Sequence, residues 1–83
     1  MNMEYTADIT ITLKKGMLDP EANAIGHALQ NLGFKVQSIS TARKFTLTFE
    51  ALSRDEARNQ AEKMCLRLLA NPVIHQYNIG VRE

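Results

Sequence analysis

Residues 34–50 read FKVQSISTARKFTLTFE. In the second half, Phe45, Leu47 and Phe49 alternate with Lys44, Thr46, Thr48 and Glu50. That is the period of a strand with one buried face. The first half, FKVQSIS, also reads as a strand, with a flaw. Val36 and Ile39 stand three apart and cannot share a face of a regular strand. A bulge between them, or cover on both faces, would reconcile the spacing. The link at residues 40–43, STAR, lacks the Asn-Gly or Asp-Gly signal of a tight hairpin. Two adjacent strands are expected here, and this expectation decides the fold.

On either side of this pair lie two helical stretches. Upstream, in LDPEANAIGHALQNLGF, Asp19 is a good N-cap and Pro20 suits the first helical position. Ala22, Ile25, Leu29 and Leu32 fall on one face. Gly33 fits the left-handed position that ends a helix. Gly26, inside it, costs about 1 kcal/mol against Ala, which a close approach to the sheet or another chain would explain. Downstream, SRDEARNQAEKMCLRLLANP opens with a Ser53–Glu56 capping-box pattern. Ala57, Ala61, Met64, Cys65 and Leu68 form one stripe. Asn71 suits a left-handed cap, and Pro72 prevents continuation.

The outermost stretches are strands. In YTADITITL, Ala7, Ile9, Ile11 and Leu13 alternate with Thr6, Asp8, Thr10 and Thr12. In VIHQYNIGV, Tyr77, Ile79 and Val81 share a face. The order β-α-β-β-α-β over residues 1–83 is the ferredoxin-like, split-βαβ motif of the α+β class. A four-stranded antiparallel sheet is expected, with both helices on the face bearing Ile9, Ile11, Leu13, Phe45, Leu47, Phe49 and Ile79. The opposite face would carry Thr10, Thr12, Thr46, Thr48, Gln76 and Asn78.

The totals narrow the function. The chain has 83 residues and a net charge of +1. One domain of this size buries about two thirds of its unfolded surface, so its core is thin. Lys and Arg are scattered and nearly matched by Asp and Glu, which argues against a phosphate-neutralising face and a nucleic-acid partner. The first fifteen residues hold no apolar h-region, and no run is long enough to span a membrane. A cytoplasmic protein with no membrane partner is expected.

Cys65 is the only cysteine. It lies on the core stripe in the last third of its helix, where the dipole opposes a thiolate. It reads as a packing residue. His27 and His75 have no partner at metal-ligand spacing. The glycine-rich aromatic signature of an RNA-recognition motif is missing. The loop after the first strand, KKGMLDPEAN, lacks the arginine and glycines of an acylphosphatase cradle. No catalytic residue, cofactor-binding residue or metal ligand is assigned to this chain.

Two stretches, LDPEANAIGHALQNLGF and MCLRLLANPVIHQY, resemble the PurS family, the small subunit of phosphoribosylformylglycinamidine synthase. Lys14, the Leu18, Asp19 and Pro20 run, Leu32 with Gly33, and the run from Cys65 to Tyr77 carry the resemblance. Ser40, Thr41, Ala42 and Arg43 stand where the family often has Arg-x-Gly-Lys. The resemblance implies a non-catalytic bridge in purine biosynthesis. It would join a glutaminase subunit (PurQ) to a large synthetase subunit (PurL) that uses ATP and Mg, and support ammonia transfer. The alternative is a free-standing module, either an ACT-type ligand sensor or an RNA-binding domain.

Turns carry partner contacts more often than packed elements do. Asp19 and Pro20, Arg43 and Lys44 at the expected hairpin, and Asn71 and Pro72 are therefore the candidate contacts to the larger subunits. A homodimer or dimer of dimers is expected from the thin core, the uncharged Thr-rich face and the phase slip. Val36, Ile39, Thr10 and Thr12 are its candidate interface residues.

Overall fold

The computed structural model describes residues 2–83. Strand β1 spans Met3–Leu13, helix α1 Pro20–Asn31, strand β2 Ala42–Ala51, helix α2 Arg54–Met64 and strand β3 His75–Arg82. A π-helical turn, Cys65–Leu69, extends α2. The sheet is antiparallel and three-stranded, in the order β2-β1-β3.

The α+β class stands, but the fourth strand does not. Residues 34–41 adopt no regular hydrogen-bonded structure. They run back along α1 and continue into β2 without a reversing turn. The physical reason lies in the sequence of the link: Ser40, Thr41 and Ala42 include none of the residues that stabilise a tight reversal. Without that reversal, the outer edge of β2 is unpaired among the described residues.

The expected cover by two helices is also corrected. Helix α2 packs on all three strands, whereas α1 makes no substantial contact with the sheet or with α2. The core therefore consists of Tyr5, Ala7, Ile9 and Ile11 from β1, Ala57, Ala61 and Cys65 from above, and Ile79 and Val81 from β3. Phe45, Leu47 and Phe49 point to that face but are only half-buried.

Helix α1 is well made locally. The Asp19 carboxylate accepts from the Ala22 N–H at 3.0 Å. At the other end Gly33 has φ 96°. The Gly33 N–H donates to Gln30 O and the Phe34 N–H to Leu29 O, both at 3.0 Å, a Schellman closure. Ala22 and Gly26 are its buried residues. A Cβ on Gly26 would lie 3.3 Å from Ile39 Cγ2, so the close approach is to this chain's own residues 36–39. Ile25 and Leu32, expected on the buried stripe, are exposed.

Ser53 caps α2 as expected, accepting from the Glu56 N–H at 3.2 Å, while the Glu56 side chain accepts from the Leu52 N–H. The stripe then breaks. The Ala70 N–H donates to Cys65 O, five residues back, at 2.9 Å. This wider turn shifts the helical phase by one residue. Leu69 enters the core and Leu68 is left 84% exposed. Asn71 does not take a left-handed cap, since among the described residues only glycines have positive φ. Instead its side-chain oxygen accepts from the Val73 N–H at 3.0 Å, forming a turn around Pro72.

Candidate functional site

Three chain segments meet where β1 ends and β2 and β3 begin. Thr12 pairs with Ala42, and Leu13 with His75. This register places the Asp19–Pro20 turn, Arg43 and the Asn71–Pro72 turn at one end of the sheet. Lys14 ties two of them: its Nζ donates to Pro72 O at 2.6 Å, and its backbone N–H donates to Ile74 O. Asp19 ties the third, accepting from the Thr41 hydroxyl at 2.7 Å. The Ala22 N–H, then the Thr41 hydroxyl, hold the Asp19 carboxyl below the usual carboxylate range.

Arg43 and Lys44 do not form a hairpin. Both lie within β2, because residues 34–40 do not pair beside it. Alternation puts them on opposite faces. Arg43 stands opposite Ile11 with its guanidinium 5.8 Å from the centre of the Phe45 ring, a cation–π contact. Lys44 lies opposite Thr10 on the polar face. The His75 Nδ1 accepts from the Asn71 N–H at 2.9 Å, which fixes the ring beside Arg43 at a shallow cleft of about 170 Å³.

The four candidate dimer residues fall in two places. Val36 and Ile39 are half-buried against α1. Thr10 and Thr12 lie on the polar sheet face, beside Gln76 and Asn78. On that face Thr46 donates to Asp8, which also pairs with Arg82 at 2.8 Å. The Arg82 guanidinium is the main cause of the lowered Asp8 pKa.

Cys65 is fully buried in the core. Burial, then the nearby Glu62 charge, pushes its thiol pKa up. Both effects favour the inert thiol over the thiolate. No group of three His, Cys, Asp or Glu side chains is placed to hold a metal among the described residues.

The sequence reading missed a groove of about 510 Å³ on the helix side of the sheet. Leu47, Met64, Leu68 and Leu69 form it, with Lys63 and Arg67 at its rim. Leu66 and Leu68, crowded after Met64 beyond what one helix face can bury, were the signal available. Lys14 and Thr41 tie the open end together through contacts that their place in the sequence did not announce.

These features define an α+β sheet domain with its connecting turns gathered at one sheet end and an open groove beside one sheet edge. The chain belongs to the PurS family: the family model described as phosphoribosylformylglycinamidine (FGAM) synthase matches residues 6–83. The phosphoribosylformylglycinamidine synthase subunit PurS of Archaeoglobus fulgidus is 50% identical over 78 residues, covering 93% of this chain and 98% of that protein. The crystal structure of Methanocaldococcus jannaschii PurS, one of the subunits of formylglycinamide ribonucleotide amidotransferase, superposes with a TM-score of 0.84 at 40% identity. That match covers 95% of this chain and 96% of the other. A chain of the PurLQS structure from Thermotoga maritima shares the fold, with a TM-score of 0.85 at 23% identity, over 96% of this chain and 99% of that one.

Proposed function

We propose that this chain acts as the non-catalytic bridge of FGAM synthase, holding the glutaminase subunit PurQ against the large synthetase subunit PurL. The observation that carries this reading is the family match over nearly the whole chain. In the complex, formylglycinamide ribonucleotide, glutamine and ATP yield formylglycinamidine ribonucleotide. ATP and Mg belong to the large subunit, and the cysteine that releases ammonia belongs to the glutaminase. This chain works in the cytoplasm, as a homodimer.

The need for a bridge is physical. Ammonia released into water is protonated and diluted, so the two sites must stay in register. A rigid small subunit does this through buried contact area and needs no chemistry of its own. The open end of the sheet is the surface we assign to the larger subunits, with Asp19, Pro20, Arg43, Asn71 and Pro72 on it and Lys44 on the adjoining polar face. The face with Thr10 and Thr12 remains for pairing of dimers.

Reconstitution tests the bridge. Glutamine-dependent synthesis by the large and glutaminase subunits is expected to require this chain, while synthesis from added ammonia is not. Equal glutamine-driven turnover without it, and no complex on sizing, would overturn the reading. Arg43→Glu is expected to weaken capture of the larger subunits; undiminished capture removes Arg43 from the surface.

A further inference from the structure

Strand β3 forms one border of the sheet, with no strand outside it among the described residues. Its register decides which backbone groups that border presents. The Lys14 N–H donates to Ile74 O, next to the pairing of Leu13 with His75. Antiparallel neighbours alternate between pairs that exchange both hydrogen bonds and pairs that exchange none. Gln76, Asn78 and Gly80 therefore bond to β1, while Tyr77, Ile79 and Val81 turn their N–H and C=O groups outward. The His75 N–H keeps the same parity, donating away from β1 to Asn71 O. An outward row of this kind is a template for a further strand.

Helix α2 reaches over that row. The Arg54 Nη1 donates to Val81 O at 3.3 Å, and the Arg58 Nη1 to Ile79 O at 3.0 Å. Glu62 continues the line, accepting from the Tyr77 hydroxyl at 3.4 Å. Each step of four residues along α2 meets a step of two residues back along β3. Four helical residues rise about 6 Å and two strand residues about 6.8 Å, so the two rows stay in step. The stripe of Ala57, Ala61 and Cys65 seats the helix on the sheet and sets that alignment. Both arginines lie off the stripe and are exposed, which leaves their guanidinium groups free to cross the edge.

We infer that Arg54 and Arg58 close the β3 edge against strand addition. The partner they turn away is a second copy of this chain presenting its own β3 antiparallel across a two-fold axis, the self-complementary approach that an open edge invites. A strand arriving there needs the Ile79 and Val81 carbonyls as acceptors. Both already hold charge-assisted bonds, which the newcomer would have to break. The newcomer's own β3 is covered in the same way, so a symmetric pair meets that cost on both sides.

The test is Arg54→Ala with Arg58→Ala in the full chain, read by light scattering and amide exchange. Removing two positive charges takes the net charge from +1 to −1, so the magnitude of overall repulsion is unchanged. The variant is expected to have roughly twice the mass of the unaltered chain. In that larger species the Tyr77, Ile79 and Val81 amides should exchange about tenfold more slowly. An unchanged mass, or a larger species in which those amides still exchange freely, overturns the inference. A lower melting temperature at unchanged mass means that the arginines only tie α2 to β3, and overturns it too. The unaltered chain gives a reading that does not depend on how the variant folds. Its three outward amides are expected to exchange at a rate independent of protein concentration; slowing with concentration shows the edge taking a strand despite the arginines and overturns the closure.

Discussion

Cys65 illustrates how a single atom's surroundings decide its role. Cys65→Ser places a hydroxyl in an apolar site and is expected to cost about 1–3 kcal/mol in denaturant unfolding. The raised thiol pKa has a definite sign. In the unfolded chain the thiol deprotonates near its ordinary value of 9.0, whereas in the folded chain it does so only above that. Its contribution to stability is therefore complete below pH 9 and declines as pH rises further. Denaturation midpoints should fall above pH 9, and less steeply in Cys65→Ala. Asp19 acts in the opposite direction. Its folded pKa lies below 3.8, so its contribution is present above that pH and fades as pH falls through the folded value. Asp19→Ala is expected to lower the melting temperature at pH 7, and by progressively less as the pH is taken down below 3.8. Gly33→Ala forces a side chain into φ 96° and should cost about 1–2 kcal/mol, read from amide exchange in α1. Each of these residues was legible beforehand, because capping, helix termination and burial of a lone thiol are local properties.

At the scale of elements, legibility depended on how far the deciding contact lay along the chain. Strand β1 and helix α2 declared themselves through alternation and a capped stripe. The π-helical turn did not, because its wider hydrogen bond follows from packing Leu69 rather than Leu68 onto the sheet. Leu69→Ala should therefore destabilise the folded chain by about 2 kcal/mol in urea titration, near the low end for a core leucine. Leu68→Ala should change that stability by less than about 0.5 kcal/mol. Equal effects of the two substitutions would contradict the phase shift. The expected strand at residues 34–40 failed for a related reason. Its composition suits a strand, but strand pairing needs a neighbour, and nothing in Phe34 to Ser40 specifies where that neighbour is. The phase slip between Val36 and Ile39 is now explained by α1, which lies against both side chains.

For the whole molecule, the sequence anticipated a thin core but not its shape. Candidate contact residues chosen as turns did gather at one end, because the register of three strands brings their connections together. The groove beside β2 stayed hidden, since it exists only where α1 does not pack. A dimer that supplies the missing cover should show a melting temperature that rises with protein concentration over the micromolar range; a concentration-independent value would mean that each chain is stable alone. The tie between Thr41 and Asp19 then has a consequence for how the folded chain opens. The tie joins the start of β2 to the start of α1 across 22 residues, so the two elements are expected to lose amide-exchange protection together. Thr41→Val, which removes the hydroxyl that the Asp19 carboxylate accepts from, would uncouple the pair and let β2 fray without α1.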